Sequence, residues 1–334
     1  MDELTGSIDR LAADTQFSGV VRVDVGDDVA FARAYGLANR AHGIPNALDT
    51  QFGIASGAKG LTALTVVGLI EDRLLEPGTT ARSVLGPDLP LIADEVTIEH
   101  LLAHRSGIGD YLDEDSDTEI DDYPMPIPVH ELRTTEHYVR ALDGYPQKFP
   151  PGERFKYCNG GFVVLALIAE RVAGTPFPEL VDERVCAPAY MGDTAFLESD
   201  ELPGRAALGY LAVDSDRTNV FHLPVRGTGD GGIYSTAADI HALWGAFFAG
   251  RIVSAEWVEQ MVRPHSDAPE LAMRYGLGFW LHASNDTVML KGYDAGVSFS
   301  AAHDPTRRLT YTVLSNTSPG AWPIVRALDD ALSH

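Results

Sequence analysis

The sequence predicts an α+β protein: an antiparallel β-sheet built from both chain ends and flanked by helices, with a mostly helical domain inserted between them. Three observations carry this. Residues 17–25 and 28–36 alternate apolar and polar side chains across Gly26-Asp27, a hairpin pattern near the N-terminus. Residues 274–283, 287–291, 296–303 and 309–314 are apolar, β-branched or aromatic runs parted by turns such as Asp304-Pro305. Between these regions the chain reads as helical pieces and long loops. The expected division is 1–60 for the first part of the sheet domain, 61–205 for the helical insertion and 206–334 for the rest of the sheet domain.

In chain order, residues 3–14 form a short amphipathic helix through Leu4, Ile8 and Leu11. After the hairpin, a helix begins near Ser56. Leu61, Leu64, Val67 and Ile70 give it an apolar period, and it stops near Leu75, before Pro77-Gly78. Residues 98–104, 135–142, 159–172 and 178–185 supply the helices of the insertion. Helices at 239–249 and 255–262 precede the C-terminal strands, and one at 324–332 closes the chain. No internal repeat occurs at solenoid periods.

Composition limits the function classes. The 334 residues carry a net charge of -23, which argues against nucleic acid and anionic membrane as partners, since both require a basic face. Lysine occurs only at positions 59, 148, 156 and 291. No apolar run reaches the length of a membrane span. Cys158 and Cys186 form neither a disulfide framework nor a metal spacing. The acidic start, Met1-Asp2-Glu3-Leu4, lacks the basic and apolar regions of a signal peptide, so a cytoplasmic protein is expected.

Two stretches bear on chemistry. Ser56-Gly57-Ala58-Lys59 sets a serine and a lysine three residues apart, so on a helix they share a face. Ser56 can be a helix N-cap, or a nucleophile activated by the adjacent amine with an oxyanion received at its own N–H. In Tyr157-Cys158-Asn159, ahead of an apolar helix, Tyr157 and Asn159 can point the same way. A phenol beside an ammonium can have its pKa lowered and serve as a base, and Asn159 can accept from Lys59 while donating to a substrate. A packed tyrosine and a turn-forming asparagine are the plainer alternative.

Other patterns count for less. Gly227-Thr228-Gly229-Asp230-Gly231-Gly232 contains Gly-x-Gly-x-x-Gly, but no convincing strand precedes it, so dinucleotide binding is not expected. His100 and His104 stand at metal-ligand spacing without a third ligand and read as structural histidines. The acidic segment 110–122 lacks the glycine and closing glutamate of a calcium loop; it reads as a solvated loop bordering the pocket entrance. No Gly-x-Ser-x-Gly elbow occurs.

Together the motifs resemble the serine β-lactamase and penicillin-recognising family, in the branch of class C β-lactamases, DD-peptidases, D-aminopeptidases and family VIII carboxylesterases. Ser56-Gly57-Ala58-Lys59 matches its Ser-x-x-Lys, and Tyr157-Cys158-Asn159 its Tyr-x-Asn. Leu101-Leu102-Ala103-His104-Arg105-Ser106-Gly107 is similar to its LLTHTSG segment, and 231–239 to its GGLxSTAxDL helix entry. The resemblance implies a β-lactamase/transpeptidase-like fold and a serine hydrolase with an acyl-enzyme. It gives Ser56, Lys59, Tyr157 and Asn159 as catalytic residues, the N–H groups of Ser56 and Gly296 as oxyanion donors, and no metal or organic cofactor.

The family's Lys/His-Thr/Ser-Gly strand is expected at 292–296, where Tyr293, Asp294 and Ala295 would stand in the substrate-binding positions. Without the cation and hydroxyl, and with Asp294 repelling a substrate carboxylate, small neutral esters are expected substrates. A D-aminopeptidase or DD-peptidase-type amidase, a weak β-lactamase, and a non-catalytic protein binding a peptide or wall fragment are the alternatives.

Overall fold

The computed structural model describes residues 2–114 and 118–332. Among them, eight strands form one antiparallel sheet: β1 (Gly19–Val25), β2 (Asp28–Tyr35), β3 (Ser266–Ala268), β4 (Met273–Tyr275), β5 (Trp280–His282), β6 (Val288–Asp294), β7 (Val297–Asp304) and β8 (Leu309–Ser315). Their spatial order is β2-β1-β8-β7-β6-β5-β4-β3. The two chain ends meet where β1 pairs with β8, with Val21 opposite Val313.

Helices cover both faces, so β7 is buried through six consecutive residues rather than in alternation. On one face α1 (Asp2–Asp14) and α5 (Ala321–Leu332) bring Ile8, Ile324 and Leu328 against Val21, Val313 and Met289. On the other lie α2 (Ala58–Glu71), α3 (Asn159–Ala173) and α4 (Ala237–Phe248). There Leu61, Leu165 and Trp244 share one buried cluster with Phe299 and Leu314. Among the described residues, 61–205 add no strand to the sheet, and most of their buried apolar side chains belong to that same cluster.

The structure departs from the sequence reading at three places. The run at 274–283 is two strands, because the chain turns at Gly278, whose φ is +86°. A Cβ at Gly278 would lie 2.2 Å from that of Ala63, so close approach to α2 also requires glycine there. Residues 266–268, too short and polar to announce themselves, form the edge strand. The helix expected from Ser56 starts as a 3-10 turn, Ala55–Gly57, and becomes α-helical only at Ala58.

That last difference sets the site. Phe52–Gly53 pairs antiparallel with Tyr234–Ser235, and Ile54 N–H donates to Ile233 O at 3.0 Å. These bonds hold the entry to α2 against the glycine-rich segment at 227–232. Ala55 then takes φ +44°, a strained value for a residue with a Cβ, and turns Ser56 outward.

Candidate active site

Ser56 does not cap α2: no side-chain cap bond is formed at the start of either helical segment. Its Oγ lies instead 2.9 Å from Lys59 Nζ. Lys59 projects from the first turn of α2 and is only 2% exposed, so Nζ depends on protein partners. It has three. Besides Ser56 Oγ, Nζ donates to Asn159 Oδ1 at 2.8 Å and to the carbonyl oxygen of Asp230 at 2.9 Å. Burial pulls the Lys59 pKa below its ordinary value, against the opposing pull of nearby carboxylates, Asp230 first. Two of these partners are carbonyl-type oxygens that can only accept. A neutral amine satisfies both with its two N–H groups and leaves its lone pair facing Ser56 Oγ.

Asn159 opens α3, and Asp110 fixes it in place. The Asp110 carboxylate accepts from the N–H groups of Asn159 and Gly160 at 2.6 and 2.8 Å, at the positive end of that helix. Burial raises the Asp110 pKa to about 6 in spite of those bonds. Asn159 Nδ2 donates to Leu112 O at 2.9 Å, which leaves Oδ1 for Lys59. Asp110 is therefore buried, unlike the solvated residue its acidic segment suggested. Asp113, Glu114, Thr118 and Glu119 of that segment do line the cavity in front of Ser56; Asp115 and Asp117 lie outside the described residues.

Tyr157 lines the cavity beside Ser56, and its ring centroid lies 5.0 Å from Lys59 Nζ. The expected lowering of its pKa is not found. Burial drives the phenol well above its usual range, Glu114 adds to the rise, and the nearby Ser56 hydroxyl opposes it only in part. Tyr157 thus stands as a neutral phenol, able to donate, and the base character belongs to Lys59.

Two residues that sequence reasoning did not place in the site support it. His104, read as structural, brackets Tyr157: its carbonyl accepts from Lys156 N–H at 2.8 Å and its Nδ1 from Cys158 N–H at 3.1 Å. Its ring lies 4.3 Å from the Tyr157 ring, which stacks on Trp280 from another side. Burial lowers the His104 pKa well below normal, consistent with a neutral ring accepting at Nδ1. Its φ of +53° favours asparagine among possible replacements. His104→Ala should lower turnover about 100-fold, the scale set by a misplacement of order 1 Å, with little change in KM and partial rescue by His104→Asn. Steady-state kinetics on the folded variants check this.

The second is Asp230. Its carbonyl holds Lys59, and its carboxylate accepts the Tyr111 hydroxyl at 2.5 Å. Thr62 Oγ1 donates to Gly229 O at 2.7 Å and anchors the same segment to α2. The glycines at 227–232 thus serve close backbone packing: a Cβ at Gly229 would lie 2.1 Å from Phe162 O. The signal was present in the sequence as a glycine cluster, but backbone roles leave no mark in side-chain identity.

The far wall requires a correction. Gly296 is the second residue of the β6–β7 turn, with φ +67°, and its N–H donates to Ser318 Oγ at 2.8 Å. It is not a free oxyanion donor. Ala295 is buried, with its carbonyl held by Asn219 Nδ2 at 2.9 Å, and does not line the cavity. Tyr293 and Asp294 do. The strand approaches Ser56 at Gly292, where a Cβ would lie 2.0 Å from Ile54 O and 3.2 Å from Ala55 Cβ. The glycine of the expected strand motif is therefore Gly292, three residues before Ala295, where the sequence pattern puts it, with buried Leu290 in the cation position. By the alternation of β6, Lys291 shares a side with Met289 and Tyr293, toward α5, where Asp329 acts on it and the Tyr293 and Trp322 rings meet at 6.0 Å.

A cavity of about 670 Å³ opens in front of Ser56, Tyr157 and Asn159. Its described lining holds five carboxylates (Asp113, Glu114, Glu119, Asp230, Asp294) against one lysine, Lys291, and no arginine. Among the described residues no group of three His, Cys, Asp or Glu side chains could hold a metal.

A serine, a phenol and an amide lining one cavity, with a buried amine against the serine, make the arrangement that a nucleophilic hydrolase site requires. Comparison with known proteins gives the same class. The Beta-lactamase family model matches residues 4–332, and the chain belongs to that family of serine hydrolases. The crystal structure of a penicillin binding protein from Bacillus halodurans has a TM-score of 0.91 at 35% identity, covering 97% of this chain and 99% of that one. Esterase EstB of Burkholderia gladioli is 33% identical over 189 residues, 55% of this chain and 47% of its own length. A D-aminopeptidase of Brucella anthropi is 27% identical over 274 residues, 79% of this chain and 49% of its own length. The chain thus spans about half the length of these two curated relatives.

Proposed function

We propose that this serine hydrolase is a carboxylesterase acting through an acyl-enzyme at Ser56. The observation that carries the mechanism is the environment of Lys59 Nζ, whose two carbonyl-type acceptors orient its lone pair on Ser56 Oγ. Lys59 takes the hydroxyl proton as Oγ attacks the ester carbon. When the tetrahedral intermediate collapses and the C–O bond breaks, the Tyr157 hydroxyl gives its proton to the departing alkoxide and recovers one from Lys59. Water repeats the attack and frees the acid.

The oxyanion is received by the N–H of Ser56 and, in this reading, by that of Tyr293. Asp294 and Val297 close the two-residue β6–β7 turn, and bonded pairs alternate along an antiparallel ladder. Tyr293 therefore directs its N–H away from β7. β5 pairs with β6 only at Val288 and Met289, so that edge is free beside the Ser56 turn. Gly292→Ala forces a methyl into Ile54 O and pushes this edge away from Ser56. A kcat at least 100-fold lower is expected, the loss that follows removal of one oxyanion donor.

Esters rank ahead of β-lactams and wall peptides because a carboxylate-bearing substrate meets Asp294 in the cavity, while the position expected to hold a cation is a leucine, Leu290, buried in the core. Rates on short-chain p-nitrophenyl esters, a chromogenic cephalosporin and D-alanyl amides, measured side by side, test this order. Faster turnover of the cephalosporin or the amides than of the esters would reject it.

A further inference from the structure

We propose that the substrate carries a positively charged amine, held against Asp294 in the cavity beside Ser56. This rests on the hydrolase reading and deepens it, replacing a neutral acyl group by a cationic one. Asp294 lies two residues beyond Gly292 on β6 and shares its face of the strand, about 7 Å along the wall from the point of contact with the Ser56 turn. That distance suits a charge a few bonds from the scissile carbonyl. The bond shown for its carboxylate is a short one to the N–H of the next residue, Ala295, at 2.9 Å. The described lining offers it no arginine; its one lysine, Lys291, alternates to the other side of β6, where Asp329 is the charge that acts on it, and the nearby Lys59 is already bound to Asn159 Oδ1 and Asp230 O.

The surroundings suit a cation better than a neutral chain. Asp230 and Glu119 line the same cavity, so the potential there is negative even with Asp113 matched by Lys148. Tyr111, Tyr138 and Tyr157 add electron-rich rings to the wall, the surface on which an ammonium is most stable beside a carboxylate. Burial, reinforced by Asp230 and opposed by the Ala295 N–H and by Lys59, raises the Asp294 pKa to about 7, and an arriving cation would favour its ionised form further. A chain of net charge -23 also draws cations in from a distance.

The test uses an isosteric pair, the p-nitrophenyl esters of 4-(trimethylammonio)butanoate and 5,5-dimethylhexanoate, with each rate divided by its hydroxide rate. A cationic-to-neutral ratio of kcat/KM of about tenfold or more is expected, falling toward one in Asp294→Asn whichever way the separate rates move. A ratio near one in the parent protein, or one that Asp294→Asn leaves intact, overturns the inference. In that case Ser56-dependent hydrolysis of the neutral ester still supports the hydrolase reading. If neither ester turns over, the hydrolase reading fails instead, and calorimetric titration with the two corresponding amides decides the charge question. Tighter binding of the cationic amide, lost in Asp294→Asn, supports it; equal or weaker binding rejects it.

Discussion

Ser56→Ala should remove ester hydrolysis almost entirely, with kcat at least about 10,000-fold lower, on the scale of losing the nucleophile of a serine protease. The residue left behind changes little else. Ser56 caps no helix, and its hydroxyl is bound to Lys59, which keeps its other contacts. The melting temperature should therefore stay close to that of the parent protein. Lys59 still has Asn159 Oδ1 and Asp230 O to hold it. Circular dichroism and a thermal scan, run alongside the kinetics, separate lost chemistry from lost structure. Retention of even a tenth of the parent rate would place the nucleophile elsewhere.

Lys59→Met should cost turnover about 1,000-fold, within the range for removing a general base. The thioether fills much of the same volume but cannot take the Ser56 proton, and it leaves Asn159 Oδ1 and Asp230 O unpaired. Acylation should suffer first, so a pre-steady-state experiment with substrate in excess would show no burst of the leaving group. The pH profile carries the sign. The amine must be deprotonated to act, and burial lowers its pKa from the ordinary lysine value. In the parent protein kcat/KM should rise with pH through that lowered pKa and be larger at neutral pH than a normal lysine would allow. Lys59→Met should lose this rising limb. A rising limb that survives the substitution would belong to another group.

Much of the architecture was legible because local pattern and tertiary role agree. The 19–35 hairpin alternates, and the C-terminal strands are β-branched and bounded by turns. The Ser56–Lys59 and Tyr157–Asn159 pairs are visible because side-chain identity carries their chemistry. What the sequence hid is backbone work. Asp230 holds Lys59 through a carbonyl, which any residue possesses. The sequence pattern sets the motif on β6 at Tyr293-Asp294-Ala295, with Gly296 as oxyanion donor; only the packing of Gly292 against Ile54 shows the strand's true register at the site. The direction of the Tyr157 pKa shift also depends on burial against Trp280 and His104, which the local lysine could not announce.

The central claim is that Ser56 is an activated nucleophile. It is tested most directly by intact and peptide mass spectrometry after brief treatment with a fluorophosphonate. The account predicts one adduct, on the peptide containing Ser56, absent in Ser56→Ala and greatly slowed in Lys59→Met. An adduct on another residue, or no adduct while the protein still hydrolyses esters, would contradict it.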